Sequence, residues 1–339
     1  MFRPKRVFFE QDALLYPLGQ ELYEKFRAAG LPVQLIKSHN RVTGIPGKTP
    51  REAYLEAKNT LVVGVRRTLD FASCKPSAHY QLPLSTSCPG HCQYCYLNTT
   101  LGKKPYIRVY VNVEEILARA KEYILRRAPA VTVFEGAATS DPVPVEPYTG
   151  SLAKAVAFFA KEPLARFRFV TKFTDVETLL SLDHRGHTEI RFSLNTEKII
   201  QAYEQGTPGL AARLRAARRV ALSGYPLGFL IAPIFHYDRW QEDYAHLLRR
   251  LKEQLGPVTP PDLTFELISH RFTVSAKKRI LEVFPGTTLP MEEKNRKFKF
   301  GQFGYGKYVY PPEILEEIKG FFHREIKLHF PQARIAYLV

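Results

Sequence analysis

Residues 87–96 read Ser-Cys-Pro-Gly-His-Cys-Gln-Tyr-Cys-Tyr, a short stretch that carries Cys88, Cys92 and Cys95. Thiolates with the spacing C-x3-C-x2-C on one tight loop can converge on a single soft metal centre. Structural zinc sites normally take four protein ligands, so three cysteines count against zinc. His91 inside the loop, with His79 and Cys74 before it, keeps a zinc site open as an alternative.

The chain after this loop alternates between predicted strands and predicted helices. The β-rich runs cover residues 131–134, 167–171, 189–194, 227–235 and 263–268. Repeated strand–helix units of this length predict parallel strands that are joined by right-handed crossovers. Five or six units suit a partial or open α/β barrel better than a closed eight-fold one. In such a barrel the working residues lie at the carboxyl ends of the strands.

Other segments flank the predicted barrel, which covers residues 76–296. Residues 1–75 are predicted to form an N-terminal α/β cap, and residues 297–339 a β-hairpin plus a helix. The predicted elements of these flanks are strands at 7–9 and 61–65, a helix at 12–28, hairpin strands at 297–300 and 307–310, and a helix at 313–326. The predicted fold class is therefore α/β, a partial barrel with an extension at each end.

Local signals mark where helices begin and end. Asn112 with Glu115, and Thr174 with Glu177, have the three-residue spacing of N-cap pairs, so each predicts a helix start. Gly224 lies where a helix needs a left-handed residue at its end.

The composition indicates a polyanionic partner and a reducing compartment. The 339 residues carry a formal net charge of +16, which favours nucleic acid as the partner. No run of about 18 apolar residues predicts a membrane span, and no apolar segment follows the basic start as in a secretory signal. Four cysteines, three of them in one loop, do not form a secreted disulfide framework, so a cytoplasmic protein is predicted.

The cysteine loop resembles the signature of the radical S-adenosylmethionine superfamily, with Tyr94 in the usual aromatic position before the third cysteine. The resemblance implies a [4Fe–4S] cluster on Cys88, Cys92 and Cys95, with one open iron that binds S-adenosylmethionine. It also implies that an electron from the cluster cleaves this cofactor to methionine and a 5′-deoxyadenosyl radical. The superfamily fold is a partial (β/α)6 barrel, in agreement with the strand count above.

Two further segments narrow the resemblance to the spore photoproduct lyase family. Residues 135–142 read Glu-Gly-Ala-Ala-Thr-Ser-Asp-Pro after a predicted strand, and residues 303–308 read Phe-Gly-Tyr-Gly-Lys-Tyr. The resemblance covers nearly the whole chain. It implies a DNA repair lyase that reverses the UV lesion spore photoproduct, 5-thyminyl-5,6-dihydrothymine, to two thymines. In this reaction the 5′-deoxyadenosyl radical abstracts the C6 hydrogen of the lesion.

Residue 138 departs from the family pattern. The family has a cysteine between Gly-Ala and Thr-Ser-Asp-Pro, and its thiol returns a hydrogen atom to the product radical, whereas this chain has Ala138. A methyl group cannot replace a weak S–H bond. We therefore expect cluster binding and cofactor cleavage to survive, and clean repair to be impaired.

The resemblance also assigns residues around the cofactor. Tyr96 is similar to a family tyrosine near the cofactor and the hydrogen-transfer route. Tyr96 and Tyr94 are therefore both predicted catalytic residues. Packing on the loop is the alternative for Tyr96. The polar positions that contact S-adenosylmethionine at the ends of three successive strands correspond to Ser140, Lys172 and Ser193. Ala232, near the end of the next strand, corresponds to a backbone contact with the adenine end.

A basic segment near the end of the chain is the predicted DNA contact. Its predicted DNA-binding residues are Arg271, Arg296, Lys297, Lys299, Phe303, Tyr305 and Lys307. Phosphates are the natural counter-charge of the basic residues, and the aromatic ones could stack on bases. The lesion joins stacked neighbours, so both nucleotides must leave the stack to be reached. Solvated surface charge is the alternative.

The implied partners are UV-damaged double-stranded DNA and an electron donor such as flavodoxin or ferredoxin. The implied location is the cytoplasm of a bacterial spore, either in the core of the dormant spore or in the germinating spore. Two other functions stay open from the sequence. One is another radical S-adenosylmethionine enzyme that modifies nucleic acid, and the other is a non-enzymatic DNA-binding protein that a metal stabilises.

Overall fold

The computed structural model describes residues 2–300, 304 and 306–339. The chain divides into two compact units. The first unit takes the chain up to Gly90 together with Thr100–Glu189, and the second takes His91–Thr99 and Ile190–Val339. The domain boundaries predicted at 75 and 296 stay predictions. Among the described residues, no helix is long and apolar enough to cross a membrane.

Strands and helices are numbered here along the chain. The strands are β1 (Arg6–Glu10), β2 (Val33–Ile36), β3 (Thr60–Gly64), β4 (Ser73–Cys74), β5 (Ala78–Gln81), β6 (Ser85–Thr86), β7 (His91–Cys92), β8 (Ile107–Tyr110), β9 (Thr132–Glu135), β10 (Ala165–Thr171), β11 (Thr188–Leu194), β12 (Glu204–Gln205), β13 (Leu227–Ile234), β14 (Thr264–Ser269), β15 (Lys297–Phe300), β16 (Gly306–Val309) and β17 (Arg334–Leu338). The α-helices are α1 (Pro17–Ala28), α2 (Pro50–Lys58), α3 (Leu97–Thr100), α4 (Val113–Arg127), α5 (Glu146–Thr149), α6 (Ser151–Phe159), α7 (Glu197–Tyr203), α8 (Leu210–Leu222), α9 (Trp240–Leu255), α10 (Val274–Val283) and α11 (Pro312–His329).

A five-stranded sheet in the order β2-β1-β3-β8-β6 lies in the first unit. β1, β2, β3 and β8 pair in parallel, and side chains from both faces are buried. Because both faces are covered, β1 and β3 read as continuous apolar runs, which is why the sequence predicts them correctly. The helix predicted at 12–28 is interrupted. A 3-10 turn at Gln11–Leu15 comes first, and α1 begins at Pro17, a residue suited to the first helical position.

The predicted partial barrel is confirmed. An eight-stranded sheet in the order β17-β14-β13-β11-β10-β9-β5-β4 curls as a half-barrel. The five predicted β-rich runs correspond to β9, β10, β11, β13 and β14. In the first unit β9 pairs in parallel with β10 and with β5, and in the second β13 pairs in parallel with β11 and β14. β17, which the sequence prediction missed, adds to the edge beside β14.

Of the two predicted helix starts, the one at Asn112 is confirmed and the one at Thr174 is wrong. α4 does begin after Asn112, but the side chain of this residue caps nothing, since its Oδ1 accepts the Arg66 N–H at 2.8 Å. No long helix follows Thr174, and only a 3-10 turn at Glu177–Leu179 forms there. Tertiary partners compete for such short polar side chains, and sequence spacing does not reveal those partners. Gly224 does adopt a left-handed φ of 76° after α8, as predicted.

The predicted C-terminal hairpin and helix are confirmed. β15 and β16 pair antiparallel, and α11 follows. Gly306 opens β16 because a Cβ at this position would meet the ring of Phe298 at 2.2 Å. A side chain at this position would therefore force the exposed Phe298 ring to move.

Candidate active site

The loop after β9 begins the candidate site in the first unit. Glu135 ends the strand, and Gly136 follows because a Cβ there would meet a phenylalanine ring at 2.8 Å. Glu135 Oε1 accepts the Ala137 N–H at 3.1 Å, and Oε2 accepts the Ser77 hydroxyl at 2.9 Å. This buried carboxylate therefore fixes the start of the turn in which half-buried Ala138 lies.

Ser140 joins this turn to the segment that leads into Cys88. Its Oγ accepts the Ser85 hydroxyl at 2.9 Å. Ser87 donates its N–H to Thr139 O at 2.8 Å and forms a β-bridge with Ser140. The φ of Ser87 is 67°, a left-handed conformation that residues other than glycine rarely adopt without support. Cys88 therefore directly follows Ser87, which bridges to Ser140, another predicted site residue.

Asp141 ties the end of β10 to the same turn. Its buried carboxylate accepts the Thr171 hydroxyl at 2.8 Å and the Lys172 backbone N–H at 2.8 Å. Burial raises the pKa of Asp141 to about 6, although these hydrogen bonds oppose the increase. The structure thus brings Ser140 and Lys172 to the carboxyl ends of two neighbouring parallel strands.

Cys92 and Cys95 belong to the second unit, where separate contacts hold their part of the loop. β7, which ends at Cys92, pairs antiparallel with β12. Gln93 donates its N–H to Tyr203 O at 2.9 Å, and Asn98 donates from Nδ2 to Cys92 O at 3.2 Å. These contacts fix the backbone on both sides of the two cysteines.

A buried ion pair anchors Tyr94 between the same two cysteines. The Tyr94 hydroxyl donates to Glu204 Oε1, and Glu204 Oε2 pairs with Arg213 Nη2 at 2.6 Å. Both members of the pair have fully buried side chains. Arg213 also donates from Nη1 to Ser193 O at 2.9 Å. Burial and the Glu204 charge raise the pKa of Tyr94 well above its usual value, so its hydroxyl stays a hydrogen-bond donor.

The remaining predicted cofactor contacts also lie in the second unit. Ser193 is buried near the end of β11, and Ala232 follows Ile231, which pairs with Leu194 of that strand. These two positions therefore lie at the carboxyl ends of neighbouring parallel strands, where the sequence predicts them. The side chain of Tyr96 is largely exposed, at 56%.

The donor set of the loop suits an iron–sulfur cluster. Cys88, Cys92 and Cys95 are not in disulfides. Among the described residues, no three His, Cys, Asp or Glu side chains stand together as ligands of one ion. The fit therefore rests on the soft thiol donors and on the hydrogen bonds that fix the loop around them.

The C-terminal hairpin has a basic face and an aromatic face. Lys299 lies directly opposite Lys307, and Phe298 lies opposite Tyr308. Burial and the charges of Arg271 and Lys299 lower the pKa of Lys307. Like charges directly opposite each other are destabilising in a sheet, so this face is suited to an anionic partner.

The predicted DNA-binding residues do not all share this face. Exposed Lys297 and Lys299 lie on β15. Arg296 turns inward, donating from Nη1 to His270 O at 2.8 Å and from Nη2 to Pro290 O at 2.9 Å. Its guanidinium also lies 3.7 Å from the centre of the Tyr310 ring. Phe303 and Tyr305 lie outside the described residues.

The sequence prediction missed the polar residues that anchor the cysteine loop, namely Lys58, Asn98, Glu204 and Arg213. Glu204 lies 110 positions from the tyrosine it binds, so no local pattern connects the two. One signal was available. Arg213 interrupts the apolar stripe of α8 next to Leu214 and Ala217, and a charge at such a position calls for a buried partner.

Comparisons with known proteins agree with this description. The family profile described as "Spore photoproduct lyase" matches residues 2–339. A spore photoproduct lyase of Clostridium acetobutylicum is 51% identical over 100% of this chain and 99% of its own length. One of Bacillus subtilis is 47% identical over 99% of this chain and 98% of its own.

Solved structures extend the similarity to three dimensions. A spore photoproduct lyase double mutant with bound AdoMet (S-adenosylmethionine) and dinucleoside spore photoproduct has a TM-score of 0.98 and 51% identity. A spore photoproduct lyase complexed with dinucleoside spore photoproduct also has a TM-score of 0.98, at 50% identity. Each match covers 100% of this chain and 99% of the other.

A half-barrel sheet combined with a three-cysteine loop is the arrangement of a radical S-adenosylmethionine enzyme. Within that class, the chain belongs to the spore photoproduct lyase family and is a lyase. The resemblance that the sequence motifs indicate is therefore confirmed, and neither a different nucleic-acid-modifying radical enzyme nor a non-enzymatic DNA-binding protein is needed to explain the chain.

Proposed function

We propose that this chain repairs spore photoproduct in UV-damaged double-stranded DNA by a radical mechanism. The observation that carries the proposal is the full-length match, at a TM-score of 0.98, to a spore photoproduct lyase that holds AdoMet and the dinucleoside lesion. The chain retains the cysteine loop and the turn from Glu135 to Asp141 in hydrogen-bonded form, which supports the same reaction here.

Cys88, Cys92 and Cys95 would hold a [4Fe–4S] cluster, and S-adenosylmethionine would bind beside it. When bound, these groups would supply one-electron reductive cleavage of the cofactor, which uses up the electron and yields a carbon radical able to take the C6 hydrogen of the lesion. A flavodoxin or ferredoxin is proposed as the source of the electron. The proposed setting is the cytoplasm of a bacterial spore.

The protein's own residues bind and orient the cofactor in this proposal. Ser140 and Lys172 lie at the ends of β9 and β10, and Asp141 holds the Lys172 backbone at 2.8 Å. A lysine ammonium there would pair with the cofactor carboxylate through a charge-assisted hydrogen bond. Ser193 and Ala232 are proposed to contact the rest of the cofactor, and Tyr96 to lie along the hydrogen-transfer route.

Ala138 has no thiol that could return a hydrogen atom to the product radical. We propose that the family's route through residue 138 is absent, so repair that depends on it is impaired. A second thiol deserves a test. Cys74 is not in a disulfide, and its hairpin is joined through Ser77 to Glu135, the residue that starts the Ala138 turn.

A similar solved structure supports a test of Cys74 as a hydrogen donor. The double mutant noted above combines a cysteine-to-alanine with a serine-to-cysteine substitution. This chain likewise has an alanine at the family's cysteine position and a cysteine elsewhere in the same unit. Cys74 is therefore our candidate for a replacement hydrogen donor.

Anaerobic reconstitution tests the function. Purified protein with iron, sulfide, a chemical reductant and S-adenosylmethionine is incubated with dinucleoside spore photoproduct carrying deuterium at C6. We expect lesion-dependent consumption of the dinucleoside and transfer of deuterium to the cofactor-derived deoxyadenosine or S-adenosylmethionine. Deoxyadenosine that forms at the same rate without the lesion, and never carries deuterium, would contradict the proposed substrate.

A further inference from the structure

A lysine is buried directly behind the first cysteine of the loop. Lys58, in the last turn of α2, is only 1% exposed. Its Nζ donates to Cys88 O at 3.0 Å and to Ser87 Oγ at 3.3 Å. The ammonium also lies 5.5 Å from the centre of the Tyr54 ring. Lys58 therefore contacts the backbone of a predicted cluster ligand from the protein interior.

No carboxylate balances this charge. Both hydrogen-bond acceptors of Lys58 are uncharged oxygens, and in the described part of the chain it forms no ion pair with Asp or Glu. The other deeply buried cations differ. Arg191 pairs with Glu266 at 2.7 Å, and Arg213 pairs with Glu204 at 2.6 Å. A buried ammonium without a counter-charge is costly, so a group that supplies negative charge is expected close by.

The proposed cluster has the required sign of charge. A [4Fe–4S] core with two positive charges, bound by three thiolates, carries one net negative charge, and uptake of an electron adds a second. The attraction between a buried cation and such a group grows with each negative charge and is strong where water is excluded. The charge and hydrogen bonding around a cluster set its reduction potential.

We propose that Lys58 is the built-in counter-cation of the iron–sulfur cluster and a positioning residue for Cys88. This inference rests on the proposed function, because it needs the cluster on Cys88, Cys92 and Cys95. Lys58 favours the reduced cluster by its charge, and it holds Ser87 and Cys88 by its two hydrogen bonds. It does not touch substrate, and it acts through the ligand that it supports.

The geometry of Ser87 supports the positioning role. This residue has a φ of 67°, and its Oγ donates to Pro105 O at 2.8 Å while accepting from Lys58. Its N–H donates to Thr139 O. A left-handed serine persists only where several contacts hold it, and Lys58 supplies one of them from beneath the loop.

Replacement of the charge tests the proposal. We would compare Lys58→Met and Lys58→Gln with the wild type, and use Lys154→Met as the matched control because Lys154 pairs with Glu114 on another surface at 2.6 Å. The readout is the midpoint potential of the reconstituted cluster, from a redox titration followed by electron paramagnetic resonance. We expect the equilibrium constant for reduction to fall about tenfold in both Lys58 variants, which is about 59 mV for one electron. The control should keep the wild-type potential.

Gln keeps an N–H donor without the charge, so it separates the two roles of Lys58. Should Lys58→Met fail to take up iron, Lys58→Gln still decides the outcome. A variant with full iron and sulfide and an unchanged potential would overturn the inference while leaving the proposed function intact. No iron or sulfide in the wild type after anaerobic reconstitution would overturn both.

Thermal unfolding adds a readout that does not depend on activity. In cluster-free protein, Lys58→Met removes an unbalanced buried charge but also two hydrogen bonds, and these opposing effects should leave its melting temperature close to that of the wild type. In cluster-loaded protein the same variant should melt below the wild type. Equal losses in both forms would show a purely structural lysine and would contradict the counter-cation role.

Discussion

At residue 138, in the proposed function, a methyl group stands where a thiol would return hydrogen to the product. Ala138 lies half-buried in the turn that Glu135 fixes. We predict that Ala138→Cys raises the ratio of repaired thymines to by-products several-fold, because a weak S–H bond is restored where the family has one. Product analysis by liquid chromatography and mass spectrometry measures this ratio, and Ala137→Cys, one position away, is the matched control.

The effect of Ala138→Cys depends on whether Cys74 already acts as the hydrogen donor. If Cys74 has become the donor, Cys74→Ser should abolish clean repair, and Cys74→Ser combined with Ala138→Cys should restore it. If the chain lacks a donor, Cys74→Ser should change nothing and the wild type should already form by-products. Full-rate, clean repair by both the wild type and Cys74→Ser would contradict the need for either thiol.

Asp141 gives a pH dependence that stability measurements can detect. Burial raises its folded-state pKa from 3.8 to about 6, so the folded state favours the protonated form. Its contribution to stability is therefore fully present below about pH 4 and is lost as the pH rises through about 6. At about 1.4 kcal/mol per pKa unit, the loss reaches at most roughly 3 kcal/mol.

We accordingly predict that Asp141→Asn is least stable relative to the wild type near pH 4 and that this deficit shrinks towards pH 8. Melting temperatures from circular dichroism across this range test the prediction. Asp183→Asn, at an exposed side chain, is the control for the substitution itself. A deficit of Asp141→Asn that grows with pH would reverse the sign and refute the argument.

At the scale of elements, α8 supports the cysteine loop through one side chain. Arg213 pairs with Glu204 on β12, and β12 pairs with β7. Arg213→Met leaves a buried carboxylate unpaired, which should cost about 3–5 kcal/mol. We also predict lower iron content after reconstitution, because the backbone before Cys92 loses its support.

The same helix provides the control for that experiment. Arg215 is exposed on α8, so Arg215→Met should change stability by less than about 0.5 kcal/mol and leave the iron content unaltered. Thermal unfolding and iron and sulfide assays measure both effects. Equal stability of the two variants would show that the buried ion pair does not anchor the loop.

For the whole molecule, the net charge of +16 predicts strongly salt-dependent DNA binding. If the basic face of the hairpin contacts phosphates, the double change Lys299→Gln and Lys307→Gln should reduce the slope of log affinity against log salt by roughly two. Fluorescence anisotropy with a duplex oligonucleotide at several salt concentrations gives this slope. Lys25→Gln with Lys154→Gln removes the same charge from α1 and α6, and an equal reduction there would argue against a hairpin contact.

The sequence alone was enough for the fold class and the family, and it predicts the cluster ligands. Five strands of the half-barrel stand out as short runs rich in β-branched and aromatic residues, although β10 alternates buried with half-buried positions. The cysteine spacing and the turn from 135 to 142 are equally local, so both can be read directly from the chain. Capping was less predictable, as Asn112 shows, because its side chain bonds a residue 46 positions away.

The tertiary structure alone determines which residues surround Cys88, Cys92 and Cys95. Lys58 contacts Cys88, which is 30 positions away along the chain, and Glu204 contacts Tyr94, which is 110 positions away. Burial of a charge depends on which distant elements pack around it, and no spacing rule along the chain carries that information. The sequence therefore predicts the ligands of the proposed cluster, whereas the tertiary structure alone supplies the charges and hydrogen bonds that hold these three residues.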